Sequence, residues 1–197
     1  MMTTANGSMN IGEALTQLYK DHDLPLDGGE HESVFHVKIG PVSIPLPNPP
    51  ARQRAVFIHD VNHLLTGYNA VFSDGEMKIA AYEVGTGCGR VWIAWLINLW
   101  LMAFAAFVHP TAVFRAYVRG RQADSLYRMS RERAALRAMT VAEVRRMIRL
   151  DEQAFAPSAR HYLEFSLWVV ATWLVSIGML AALVALASWI IARITAS

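Results

Sequence analysis

FSLWVVATWLVSIGMLAALVALASWIIA, residues 165–192, runs for 28 positions without a charged side chain. Wound as an α-helix it would extend about 42 Å, more than the roughly 30 Å of hydrocarbon that a span must cross. A soluble core helix of that length would need apolar neighbours on every side, and the rest of the 197-residue chain is too small to supply them. The stretch therefore reads as a transmembrane anchor. It lies far from the N-terminus, where MMTTANGSMNIGEALTQ holds no apolar run of signal-peptide type. It also accounts for a hydrophobic content of 54 % and a mean hydropathy of +0.26, high for a soluble protein.

A second apolar run, VWIAWLINLWLMAFAAFV at 91–108, has Asn98 as its one strongly polar residue. Eighteen residues is the lower limit for a span, so core, interfacial and crossing placements all stay open. The favoured reading is core or membrane-embedded packing.

The net charge of +2 hides an asymmetry. Residues 1–83 hold ten acidic and five basic side chains, whereas Arg90 to Arg160 holds twelve arginines, no lysine and five acids. Beside an anchor, such a basic band fits anionic lipid better than nucleic acid. Arg145, Arg146, Arg149 and Arg160 precede the anchor and only Arg193 follows it. The positive-inside bias then puts the body of the protein in the cytoplasm and the tail across a bacterial inner membrane or its equivalent. The lone Cys88 cannot form an internal disulfide and fits a reducing compartment.

Between these landmarks the pattern is helical, giving an all-α fold with a C-terminal transmembrane helix and an extended proline-rich arm. Residues 1–50 form a short helix (Ile11, Ala14, Leu15 and Leu18 at helical spacing) followed by that arm. SVFHVKIG alternates like a strand but has no evident partner, and five prolines between Pro41 and Pro50 predict a stiff, extended connection. Residues 51–155 form the helical domain. Helices are expected over 51–65, ending at Gly67, then over 76–84, 91–108 and from Pro110 onward, with GTGCG at 85–89 as a break. Ser130 is a candidate cap, and Thr140 with Glu143 makes a capping box. Residues 165–192 are the anchor.

HDVNHLLTGY, residues 59–68, carries the candidate chemistry. Residues four apart on a helix lie one turn apart on the same face, so His59 and His63 present two imidazoles to one point, with Asp60 bordering it. Imidazole and carboxylate together suit a borderline divalent metal, and the missing carboxylate could come from Asp74, Glu76 or Glu83 on the next helix. Two histidines and two carboxylates would leave room for water or substrate. On the bland reading the pair is solvated and Tyr68 merely follows the helix end.

HDVNHLLTGY, a following GE, and the later YVRGRQADSLYRM and TVAEVRRMI together resemble the coenzyme Q (ubiquinone) biosynthesis family founded on the fourth COQ protein. The resemblance spans about residues 51–150 and rests on the family's His-Asp-x-x-His…Glu motif. It matches at His59, Asp60 and His63 and reaches Glu76 after twelve residues, one more than the family spacing. The anchor is not part of the family pattern. The resemblance implies a metal site of His59, Asp60, His63 and Glu76, holding zinc, with iron or manganese as alternatives. It also implies isoprenoid binding, membrane lipids and other quinone-biosynthesis enzymes as partners, no nucleic acid, and a role in C1 decarboxylation of a prenylated benzoate (a lyase or oxidative decarboxylase) and in assembling the pathway's enzymes. Catalytic residues and a homodimer are left open. A polyprenylated ring is insoluble in water, so a protein acting on it belongs at the bilayer with an apolar groove. Trp92, Trp95, Leu96, Leu99, Trp100 and Phe104, with Met102, are the candidate lining. The rivals are a non-catalytic scaffold with a structural metal and another metal-dependent hydrolase or oxygenase.

Overall fold

The computed structural model describes residues 7–22, 24–39, 42–129, 131–150, 152 and 155–195. Among them are eight α-helices and one two-stranded hairpin: α1 (Ile11–Asp21), β1 (Val34–Ile39), β2 (Val42–Pro47), α2 (Pro50–Thr66), α3 (Met77–Thr86), α4 (Trp92–Val108), α5 (Pro110–Arg121), α6 (Arg133–Ala138), α7 (Val141–Met147) and α8 (Ala159–Thr195).

Local chemistry explains most boundaries. Asn10 accepts from the Glu13 amide and starts α1. Pro50 and Pro110 sit in the first turns of α2 and α5, where a missing N–H costs nothing. Gly67, at φ 73°, ends α2 in the left-handed conformation. The expected capping box at Thr140 and Glu143 is formed. Ser130 lies outside the described residues, and the N-cap of α6 is Glu132.

Two expectations need correction. The alternating segment does have a partner, and it is the proline-rich run itself: β1 pairs antiparallel with β2, Val34 opposite Pro47 and His36 opposite Pro45. Prolines are tolerated there because a two-stranded ribbon leaves one edge of each strand free of ladder bonds. Buried Asn48 pins the hairpin's exit by donating to the Gly29 and Glu32 carbonyls at 3.0 and 2.8 Å. Nor does the glycine-rich GTGCG break the chain at Gly85. α3 continues to Thr86, because Gly85 lies at a helix crossing and the turn comes at Gly87, φ 85°.

α3 stands between two apolar clusters. Ile79 and Tyr82 join Ile11, Leu15, Leu18, Val61, Leu65, Val141 and Val144 on one side. Met77, Ala81 and Val84 join Met102, Ala105, Val113 and Val118 on the other. α3 and α5 approach so closely that a Cβ on Gly85 would lie 2.3 Å from the Tyr117 carbonyl oxygen, and one on Gly120 would lie 2.1 Å from that of Tyr82. Only glycine fits at either point.

α8 starts against the domain and then leaves it. Its first turns pack on α5 through Phe114–Tyr162 stacking at 4.3 Å and the Arg121–Glu164 ion pair at 3.1 Å. They cross α4 through Trp95–Trp168 stacking and a bond from Trp173 Nε1 to the Ala103 carbonyl at 3.2 Å. The apolar stretch that follows is exposed, and Ala159–Trp189 is long and apolar enough to cross a membrane.

Candidate metal centre

α2 and α3 build the centre. His59 and His63 share a face of α2, one turn apart, with ring centroids 4.8 Å apart and planes nearly perpendicular. Glu76 arrives from a single π turn, Phe72–Glu76, closed by the Glu76 amide on the Val71 carbonyl at 3.1 Å. A π turn takes up one more residue than an α turn, so the twelve-residue spacing still brings Glu76 to the histidines. His59 Nε2 and His63 Nε2 stand 3.2 Å apart. Glu76 bridges them, Oε2 at 3.4 Å from His59 Nε2 and Oε1 at 3.3 Å from His63 Nε2.

The tautomers follow from the outer contacts. His63 Nδ1 lies 2.9 Å from the Tyr68 carbonyl, which can only accept, so Nδ1 carries the proton. His59 Nδ1 faces Glu83 Oε1 at 3.3 Å and donates to it. Both Nε2 lone pairs therefore point at each other and at a carboxylate. Such a convergence of acceptors is repulsive unless a cation lies among them. A tetrahedral zinc site with bonds of about 2.0 Å has ligand atoms about 3.3 Å apart, the spacing found here. His59, His63 and Glu76 could thus hold a metal ion. His63 is buried, whereas the side chains of His59 and Glu76 each keep 25 % exposure, which leaves one side of the centre in contact with solvent.

Without metal, a proton serves as the cation. Burial pulls the His59 pKa down, but the charges and hydrogen bonds of Glu83 and Glu76 outweigh it and hold the pKa well above the ordinary histidine range. Burial pushes Glu76 upward, yet both imidazoles overcome this and leave it well below the usual carboxylate range. Glu83 is lowered in the same way, chiefly by His59.

Three of the four expected ligands thus come together, and Asp60 does not join them. Asp60 stands about 100° around the axis from His59 and about 60° from His63, at the edge of their face rather than on it. Its Oδ2 instead accepts from the Tyr19 hydroxyl of α1 at 2.8 Å. Burial pushes its pKa up to about 6 against the pull of the imidazoles. Asp74 is also turned away, paired with Lys78 and accepting from Asn69 at 2.9 Å. Tyr68 contributes its backbone carbonyl to the centre.

Sequence reading named Glu83 only as an alternative ligand and missed the network that holds it behind His59. Asn62, Asn98 and Tyr127 all donate to Glu83, which is fully buried. The available signals were a charge inside the apolar run IAAYEVG and an asparagine inside the apolar run of α4. Cys88 lies beside them, 3.7 Å from Asn98 Nδ2. Burial, then Glu83, pushes its thiol up to about 12, which disfavours the thiolate.

The expected apolar lining is split by α4. Trp92, Leu96, Trp100 and Phe104 follow one another at four-residue spacing along an exposed face. Trp95 and Leu99 pack inward, and Met102 is fully buried core. A concave apolar surface lies further along, between α4 and α8, lined by Ala106, Phe107, Phe165, Ser166, Val169 and Val170. No family model, curated protein or solved structure matches the chain.

Proposed function

We propose that this chain is a membrane-anchored, metal-binding protein of polyprenyl-quinone biosynthesis, acting on the carboxylated, prenylated benzoate precursor of the quinone head group and helping to gather the pathway's enzymes. The observation that carries the reading is the meeting of His59 Nε2, His63 Nε2 and the Glu76 carboxylate within 3.4 Å, with both Nδ1–H groups directed outward. The ligand types suit zinc, with iron or manganese as alternatives. The order His59-Asp60-x-x-His63…Glu76 is what the centre shares with the coenzyme Q biosynthesis motif.

A divalent ion in that centre supplies Lewis-acid polarisation of a carboxylate or phenolic oxygen. The protein's own residues hold and orient it: His63 through its bond to Tyr68, Glu76 through the π turn, His59 through Glu83. The open side next to His59 and Glu76 admits the polar ring. An isoprenoid tail needs an apolar path, and the exposed face of α4 and the α4–α8 cleft provide one. The 37-residue α8 is about 55 Å long, enough to span the bilayer after its first turns have packed on the domain. The arginine bias supports a domain on the cytoplasmic side.

The test is His63→Ala in cells that depend on this chain for quinone. Accumulation of the prenylated carboxylated precursor, with protein level and membrane fraction unchanged, is the expected result. Normal quinone in the His63→Ala strain would defeat the reading, and lost quinone without that precursor would move the role from chemistry to assembly.

A further inference from the structure

Glu83 sits in the last turn of α3 with no exposed surface, and a buried carboxylate survives only where its charge and lone pairs are met. Its Oε1 accepts from Asn62 Nδ2 at 2.8 Å and faces His59 Nδ1 at 3.3 Å. Its Oε2 accepts from Asn98 Nδ2 at 2.5 Å and from the Tyr127 hydroxyl at 3.1 Å. These donors come from α2, from α4 and from the turn after α5. Four donors match the roughly four lone-pair sites of a carboxylate, so none remains for a metal ion. Nδ1 and Nε2 lie on different edges of the imidazole, so Glu83 stands behind His59 while Glu76 stands in front of it. Seven residues separate the two acids, about two helical turns, which puts both on the α2-facing side of α3.

We propose that Glu83 is the positioning residue of the metal centre: it locks His59 as the Nδ1–H tautomer with Nε2 aimed at the ion, and Asn98 ties that lock to α4. The inference rests on the metal reading above. A carboxylate behind a metal-bound imidazole fixes the ring and raises its basicity, and losing such a partner weakens metal binding by about 10–100-fold. Glu76 and Glu83 together also carry the two negative charges that balance a divalent ion. Asn98 gains a purpose it lacks as a residue of an apolar helix. It presents the one strongly polar group of α4 to Glu83, on the side away from the exposed apolar face of that helix.

The test is zinc affinity by chelator competition on the full-length chain in detergent, comparing the wild type with Glu83→Gln. Binding by the wild type and a 10–100-fold loss in Glu83→Gln is the expected result. Equal affinities overturn the inference and leave the metal reading standing, whereas no zinc binding by the wild type removes both. Nitrogen NMR of the zinc-loaded, ¹⁵N-histidine-labelled wild type decides the matter if Glu83→Gln does not fold. A slowly exchanging proton on His59 Nδ1 with the metal on Nε2 supports the assignment, and a metal on Nδ1 overturns it.

Discussion

Glu83 has no exposed surface while Phe107, on the neighbouring helix, is 71 % exposed. The polar centre between α2 and α3 and the outer face of α4 and α8 thus depart from the usual arrangement in opposite directions. Soluble proteins keep carboxylates outside and large aromatic side chains inside, so each region is incomplete in water alone. The centre gathers acceptors and calls for a cation. The outer face leaves Trp92, Leu96, Trp100 and Phe104 exposed, the surface proposed above to meet lipid. α3 and α4 pack against each other, so both deficits lie on one packed core.

The comparison breaks most decisively at the centre. His63→Ala removes a ligand and is expected to lower zinc affinity by at least about 100-fold and to abolish the rise in melting temperature that excess zinc produces. Differential scanning fluorimetry with and without zinc checks both, and an undiminished rise would remove the cation half of the contrast.

Next in size is the anchor. Leu174→Arg with Leu183→Arg puts two charges on exposed positions of α8, each costing about 3 kcal/mol near a bilayer centre. The double variant should move from the carbonate-resistant membrane fraction toward the soluble one. Unchanged membrane retention would mean that α8 does not insert.

A smaller effect is expected on α4. Trp100→Ser with Phe104→Ser alters only exposed positions, so folding stability should change by less than about 1 kcal/mol. Binding of an anchor-deleted chain to anionic vesicles should fall several-fold in a sedimentation assay. A large loss of stability with unchanged vesicle binding would assign that face to packing instead.

The finest probe is pH. His59 has a raised folded pKa, so its contribution is fully present below the ordinary histidine value and is lost as pH rises through the raised one. Glu76 and Glu83 have depressed values, so theirs is present above the ordinary carboxylate value and lost as pH falls through the depressed ones. The metal-free protein should therefore melt highest at intermediate pH and lose stability on the alkaline side. Zinc needs both imidazoles neutral and should remove the alkaline loss. Parallel melting curves across pH, with and without zinc, would dissolve the distinction between proton and metal as the centre's cation.

Much of this was legible in the chain. His59 and His63 were readable because four residues is one helical turn wherever a helix forms, and Glu76 because the motif resemblance pointed to it. Asp60 was misplaced because it sits at the edge of the histidine face, and the Tyr19 hydroxyl of α1, 41 residues away, takes its carboxylate. The hairpin was hidden because its second strand is spelled with Pro45 and Pro47, which ordinarily argue against a strand. The role of Glu83 was out of reach, since its donors Asn62, Asn98 and Tyr127 are 21, 15 and 44 residues away.

The order of residues alone determined the helical class, the long apolar span, the capping box at Thr140 and the pairing of two imidazoles, because each depends on interactions within a few positions. Only the tertiary structure decided that Glu83 lies behind His59, that Asp60 serves α1, and that α4 turns Trp100 outward while burying Asn98. Those outcomes depend on how close and at what angle helices meet, down to the Gly85–Gly120 approach of α3 and α5, and no local pattern encodes that distance.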